Sequence, residues 1–147
     1  MVAGLGPAGP DLLTVATQAA VERIPHRFLR TTRHPAAVAV EGAESFDSLY
    51  DTASSLDEVY LGIAAALVDA AQAHGEVLYL VPGSPVVAER AVEVLRADER
   101  VEVEVLPALS FLDLVQSHVG AGARLVDGHR FAVEAAGETG PLVVSQC

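Results

Sequence analysis

Val77-Leu78-Tyr79-Leu80-Val81-Pro82-Gly83-Ser84-Pro85 is the stretch on which the fold turns. An apolar run without polar alternation has no wet face, as expected of a central strand of a parallel sheet covered by helices on both sides. Proline and glycine then end the strand at once, and Ser84 with Pro85 reads as the N-cap and first residue of a following helix. The same grammar opens the chain. Val2 to Leu5 is a short apolar strand, Gly4-Leu5-Gly6-Pro7-Ala8-Gly9-Pro10 is a turn, and Asp11 stands where it could cap a helix. That helix carries Leu12, Val15, Ala16, Ala19, Ala20 and Ile24 at helical spacing up to Pro25. Arg27 to Thr31 reads as a second strand, and Val101 to Val105, with Glu102 and Glu104 between valines, as an edge strand. Strand, turn and helix in repetition predict an α/β fold: a parallel-rich sheet flanked by helices.

Between Thr32 and Ser54 the periodicity weakens, and a functional loop with short helical pieces is expected. Ser55-Leu56-Asp57-Glu58 fits a capping box, in which the serine hydroxyl and the glutamate carboxylate satisfy each other's free amides. The helix it opens presents Leu56, Val59, Tyr60, Ile63, Leu67 and Ala71 on one side and stops at His74-Gly75, with His74 a helix-end cation or cap. Leu106 to Ser110 leads into a further helix to about Val119. Beyond Gly120 come glycine breaks, Arg124-Leu125-Val126-Asp127, and a Leu142-Val143-Val144 strand expected to have no partner. The expected organisation is one lobe over 1–119, then a linker and the first strand of a severed second lobe over 120–147. An uncovered apolar strand of that kind predicts self-association, hence a homo-oligomer.

Composition narrows the function. The chain has 147 residues, the size of one ordinary domain, and 51% are hydrophobic, which excludes general disorder. Nine arginines, with no lysine, face 20 acids for a net charge of -11, the opposite of what a nucleic-acid polymer would select. Cys147 is the only cysteine, so neither a disulfide framework nor a cysteine-based metal site is expected. His26, His34, His74, His118 and His129 show no ligand spacing, and no metal is expected. Glu41 and Glu44 have Gly42 between them and no second acidic pair at helical spacing. The acidic machinery of a metal-dependent pyrophosphohydrolase is therefore not expected here. With no apolar run of about 18 residues and no leader-like start, the expectation is a soluble, cytoplasmic protein with no membrane contact.

Three strand ends carry glycine- and proline-rich turns: Gly4 to Pro10, Pro82 to Pro85, and Pro107 to Ser110. In a parallel sheet all three lie at the carboxyl edge, where open α/β folds bind ligands, and they predict a cleft there. Gly4, Gly6 and Gly9 also match G-x-G-x-x-G, so an NADP-type dinucleotide site, with Arg30 or Arg33 at a 2′-phosphate, is one reading. The same glycines could serve only the tight turn.

Val2-Ala3-Gly4-Leu5-Gly6-Pro7 with Asp11-Leu12-Leu13-Thr14 resembles the opening motif of the tetrapyrrole methylases, the class III S-adenosylmethionine (SAM) methyltransferases. Arg30-Thr31-Thr32-Arg33-His34-Pro35, Ser45 to Tyr50, Val81 to Arg90 and Val105 to Leu112 resemble the methylase-like domain found ahead of the catalytic domain of MazG-type nucleoside triphosphate pyrophosphohydrolases. Arg124 to Asp127 and Pro141 to Gln146 look like the entry to the family's second domain. The resemblance implies a two-lobed fold with SAM between the lobes. Pro82, Gly83, Ser84 and Pro85, with Pro107, Ala108, Leu109 and Ser110, would line the SAM side, and Gly4, Gly6, Pro7, Arg33 and His34 the substrate side. The implied chemistry is in-line methyl transfer to carbon or nitrogen, which asks mainly for proximity and orientation and names no catalytic acid or base. The implied partners are a small-molecule methyl acceptor or none, and a pyrophosphohydrolase domain in the parent chain. Ser84, Ala108 and Ala8 stand where the family has aspartate, glycine and glycine. Those departures favour an alternative, a non-catalytic scaffold or dimerisation domain.

Overall fold

Alternation along the strands explains how the sheet is covered. In the computed structural model, which describes residues 1–120, 122–137 and 139–145, Met1–Ser110 and Phe111–Cys147 form two compact units. Cys147 and Gln146 lie outside the described residues, as does the side chain of His129.

The first unit holds β1 (Val2–Gly4), β2 (Arg27–Leu29), β3 (Glu44–Ser45) and β4 (Leu78–Val81), in the order β1-β4-β2-β3 with every pair parallel. The apolar run is the central β4, and its residues alternate between two cores. Tyr79 and Val81 join Val2, Phe28 and Phe46 against α3 (Leu56–His74) and α4 (Arg90–Arg96), through Val59, Ile63, Leu67, Val92 and Leu95. Leu78 and Leu80 join Ala3, Leu5 and Leu29 on the opposite face, against Ala20 and Ile24 from α1 (Val15–Arg23) and its C-cap, and Ala36 and Val40 at the 3-10 turn Pro35–Ala39. The expected parallel sheet between helical layers is what forms.

Several local expectations are corrected. The first helix starts at Val15, capped by Thr14, whose hydroxyl accepts from the Thr17 amide at 3.1 Å. Asp11 sits in a 3-10 turn, Pro10–Leu12, after which Leu13 is extended and breaks the helical path. The buried face of α1 is Thr17 and Ala20, while Val15, Ala16 and Ala19 are exposed. Alanines and one valine distinguish the faces of a helix poorly, and the hydrogen bond from the Thr17 hydroxyl to the Gly4 carbonyl, at 3.3 Å, fixes the phase instead. The capping box is split between neighbours: Ser55 accepts from the Glu58 amide at 3.2 Å, but the Glu58 carboxylate takes the amide and hydroxyl of Ser54. Leu56 is exposed. Pro85 does not start a helix. The turn from Ser84 to Val87 closes on itself, with the Val87 amide donating to the Ser84 carbonyl at 3.1 Å, and α4 begins only at Arg90.

Beside β1 runs the segment 101–106. Val2 donates to the Glu104 carbonyl at 2.7 Å and accepts from the Leu106 amide at 2.9 Å, leaving Glu102 and Glu104 exposed as an edge position predicts. The loop over 32–54 contains the 3-10 turn, β3 and α2 (Asp47–Thr52).

In the second unit, α5 (Phe111–Val119) precedes β5 (Arg124–Asp127), α6 (Phe131–Glu134) and β6 (Leu142–Ser145). The strand expected to lack a partner has one: β6 pairs in parallel with β5, from Arg124↔Leu142 to Asp127↔Ser145, and Val126 is fully buried. The intervening 3-10 turn and α6 supply the crossover that a parallel pair needs. With that pairing, the uncovered-strand argument for self-association falls.

Candidate functional site

The three strand-end turns do meet, and Gly4 is where they meet. A side chain at Gly4 would put its Cβ 2.2 Å from the Gly83 carbonyl oxygen, 2.5 Å from the Ala108 Cβ and 3.0 Å from the Pro85 Cδ. Only a glycine permits that closeness. Two hydrogen bonds then join the first two turns: Gly83 donates to the Gly6 carbonyl at 2.8 Å and Gly6 donates to the Gly83 carbonyl at 3.2 Å. Both residues have positive φ, +73° and +66°, the left-handed region that glycine enters at little cost. Ser84, Pro85 and Ser110 are buried, whereas Leu109 is exposed and Gly83 has nothing within 4 Å of where a side chain would stand. The Ala108 methyl is turned against the first strand. His34 reaches the same place. Its Nδ1 accepts from the Ala36 amide at 3.2 Å, and although the nearby Gly6 carbonyl pulls its pKa up, partial burial outweighs that, lowers the pKa and favours the neutral imidazole.

These bonds overturn the dinucleotide reading. The Gly6 amide is spent on Gly83 and the Leu5 amide on the Val81 carbonyl at 2.8 Å. Pro7 and Pro10 have no N–H, and α1 begins five residues beyond Pro10 with its cap already filled by Thr14. The α-helix that a pyrophosphate would need directly after the glycine turn is replaced by the one-turn 3-10 segment Pro10–Leu12.

A second arrangement adjoins the turns. A cavity of about 340 Å³ opens at the ends of β2 and β4, lined by Arg30, Thr31, Arg33, Asp47, Tyr50 and Pro82. Arg30 continues β2, its amide donating to the Leu80 carbonyl at 2.9 Å. Its Nε donates to the Tyr50 hydroxyl and its Nη1 to Glu89 Oε2, both at 2.8 Å, and the Tyr50 and Tyr60 rings lie 5.9 Å and 6.0 Å from the guanidinium. The Glu89 side chain is 3% exposed. Ala88, a non-glycine residue at φ 55°, precedes it at this bend. Burial raises the Glu89 carboxyl above its usual range although Arg30 pulls the other way. Burial also works against the charge on Arg30, but Glu89 and Tyr50 outweigh it and keep the guanidinium protonated. Glu89 Oε1 and the Tyr79 hydroxyl are buried with no hydrogen-bond partner among the described residues. Asp47 is held differently. It accepts from the Thr31 hydroxyl at 2.5 Å, the Thr32 hydroxyl and amide at 2.6 Å and 2.9 Å, and the Ser45 hydroxyl at 3.0 Å. Those bonds, the Thr31 hydroxyl foremost, hold its carboxyl well below the usual carboxylate range.

Of the residues singled out from sequence, the structure gathers Gly4, Gly6, Gly83, Pro85, Ala108 and His34 at the turns, and Arg33 and Pro82 at the cavity. Glu89, Tyr79, Asp47 and Tyr50 were not assigned roles, although three of them lie in the quoted motifs. The available signal was Arg30, a cation directly after the apolar Phe28-Leu29. A second cavity, of about 380 Å³, lies at the amino ends of the strands among Met1, Glu76, Val77 and Arg100, away from the edge where open parallel sheets bind ligands. Among the described residues no group of three His, Cys, Asp or Glu side chains could hold a metal. No described helix is long and apolar enough to cross a membrane.

Residues 1–142, almost the whole chain, match the family described as Tetrapyrrole (Corrin/Porphyrin) Methylases. The chain belongs to the tetrapyrrole methylase family. Among curated proteins it is 34% identical over 119 residues to the uncharacterized protein YabN of Bacillus subtilis (strain 168), covering 76% of this chain and 24% of that protein. Among solved structures it is similar to the uroporphyrin-III C-methyl transferase of Thermus thermophilus complexed with S-adenyl homocysteine. There the identity is 23%, the coverage 86% of this chain and 57% of that one, and the TM-score 0.61. A diphthine synthase is similar at 15% identity over 86% of this chain and 53% of its own, with a TM-score of 0.62. The chain thus spans about a quarter of YabN and somewhat over half of each of these two solved structures.

Proposed function

We propose that the carboxyl-edge turns form one side of a SAM site in a methylase-like domain of the MazG-associated kind. The observation that carries this reading is the convergence at Gly4. Three turns far apart in sequence are packed together at the sheet edge, with space beside the Gly83 backbone and with Leu109, in the third turn, exposed. These residues fit the group: Pro82, Gly83 and Leu109 offer backbone and apolar surface to an adenosyl or methionyl moiety, and Gly4, Gly6, Pro7, Arg33 and His34 lie toward the acceptor. SAM supplies an electrophilic methyl group. The residues of this chain bind, orient and exclude water, which is most of what in-line transfer asks. The MazG association rests on the motifs at 30–35, 45–50 and 81–90, which supply Arg30, Asp47, Tyr50 and Glu89 to one connected cluster. In this proposal residues 120–147 open a second lobe, the parent chain carries a pyrophosphohydrolase domain, and the protein works in the cytoplasm on a small-molecule acceptor.

Calorimetry with SAM on the full-length protein tests the reading, with binding heat and a thermal shift expected. The competing reading, a non-catalytic scaffold, is favoured by the Ala108 methyl packed where the family has glycine. No heat and no shift at millimolar SAM would leave the scaffold standing.

A further inference from the structure

The cavity at the ends of β2 and β4 shares Pro82 and Arg33 with the proposed SAM and acceptor sides, and it adds a buried arginine of its own. Arg30 is fixed there by costly means. A buried ion pair adds little stability over apolar packing, and a left-handed alanine at position 88 is strained, yet together they hold the guanidinium between Glu89 and Tyr50. Only two of its five N–H donors are spent on those partners, and its side chain is still 24% exposed on the cavity wall. Arg33, the other cation in the wall, has no side-chain hydrogen bond or ion pair among the described residues. Asp47, the one acid in the lining, is held by Thr31, Thr32 and Ser45 and forms no ion pair with either arginine among the described residues. Two guanidinium groups with unspent donors therefore face the cavity beside a single carboxylate, in a chain whose net charge is -11. A planar guanidinium fork matches phosphate and carboxylate oxygens, and about 340 Å³ is at the small end of ligand sites.

We propose that this cavity binds a small molecule by a phosphate or carboxylate group, with Arg30 and Arg33 as its ligands and Glu89 as the residue that positions Arg30. The proposal deepens the acceptor side of the proposed site, to which Arg33 belongs, and its test is made without SAM so that the two can fail separately. A core ion pair serving the fold alone gives no reason for an arginine opening onto a cavity beside a second, unpaired one.

The test is titration of the protein with inorganic phosphate and, separately, with succinate, followed by calorimetry and by the arginine Nε–H resonances in NMR. Saturable binding of at least one anion in the millimolar range is expected, with the Arg30 Nε–H signal shifting. Phosphate alone would identify a phosphoryl ligand, succinate alone a carboxylate. Arg33→Met, at an exposed position, should weaken binding about tenfold, roughly 1.4 kcal/mol, while leaving the free-state Arg30 signal in place. Glu89→Gln should weaken it comparably and also move that signal or speed its exchange, whereas a purely structural Glu89 would leave the anion affinity of the folded variant unchanged. Failure of both anions at tens of millimolar, or undiminished affinity in Arg33→Met, would overturn the site. Unchanged affinity in a folded Glu89→Gln would overturn the positioning role. Anion binding in a protein that ignores SAM would sink the SAM reading alone.

Discussion

Gly4→Ala is the sharpest perturbation of the junction, because its cost is steric and not conformational: Gly4 is absent from the positive-φ residues. The new methyl would stand 2.2 Å from the Gly83 carbonyl oxygen and 2.5 Å from the Ala108 Cβ, and contacts under 3.0 Å force something to move. What moves is backbone. The Gly6–Gly83 pair of hydrogen bonds, 2.8 Å and 3.2 Å, lies directly beside the intrusion and should open. Two such bonds contribute about 0.5–1.5 kcal/mol each, and overpacking adds about 1–3 kcal/mol, so the variant should lose about 2–6 kcal/mol. Against a typical domain stability of about 5–15 kcal/mol that is a large fraction. Urea denaturation followed by tyrosine fluorescence reads it cleanly, since Tyr50, Tyr60 and Tyr79 are the only tyrosines and all lie in the Met1–Ser110 unit. Adding Ala108→Gly removes the second clash but not the first, so it should restore only part of the loss. A Gly4→Ala variant within about 0.5 kcal/mol of the parent, or one rescued completely by Ala108→Gly, would refute the convergence of the three turns.

Asp47→Asn should be less stable than the parent at pH 7 in urea melts. Its folded pKa is depressed, so the stabilisation is present above the ordinary aspartate value of about 3.9 and is lost as pH falls toward the folded value; the gap between parent and variant should close below about pH 4. His34 has a lowered folded pKa, so the unfolded chain takes up its proton first as pH falls through about 6.5; the parent should lose stability relative to His34→Gln between pH 7 and 5, and a constant gap in thermal melts would contradict this. Leu67→Ala, at a position 3% exposed, should cost about 2–5 kcal/mol, whereas Leu61→Ala, 59% exposed, should stay within about 0.5 kcal/mol by the same denaturation assay.

The legible part of this chain was the part whose physics is local. Leu78 to Val81 must be buried on both faces, and the sequence has nothing polar there to say otherwise. The Ser55 cap and Gly75 stop bound α3 because each satisfies backbone groups within one turn of itself. Asp11 misled for an equally local reason that the sequence does not display: its carboxylate bends back to within 2.7 Å of where a Gly9 side chain would start, leaving Thr14 to cap the helix. The β5–β6 pairing was hidden because β5 offers only two apolar residues between Arg124 and Asp127, and its partner lies beyond an intervening helix.

The cavity shows why a site can be present in a sequence without being readable in it. Arg30 and Glu89 are 59 residues apart, and nothing about a glutamate between Ala88 and Arg90 marks it as buried. The sheet order decides the matter. Because β4 lies against β2, the chain leaving the carboxyl end of β4 passes Pro82 along the cavity wall beside Arg30, and with Ala88 in the left-handed region Glu89 turns back inside to meet it. Had β4 paired on the far side of β1, the same motifs would fold without bringing the acid to the arginine. Adjacency of two strands, set by long-range burial of Phe28 and Tyr79 in one core, is thus what turns separate motifs into one binding surface.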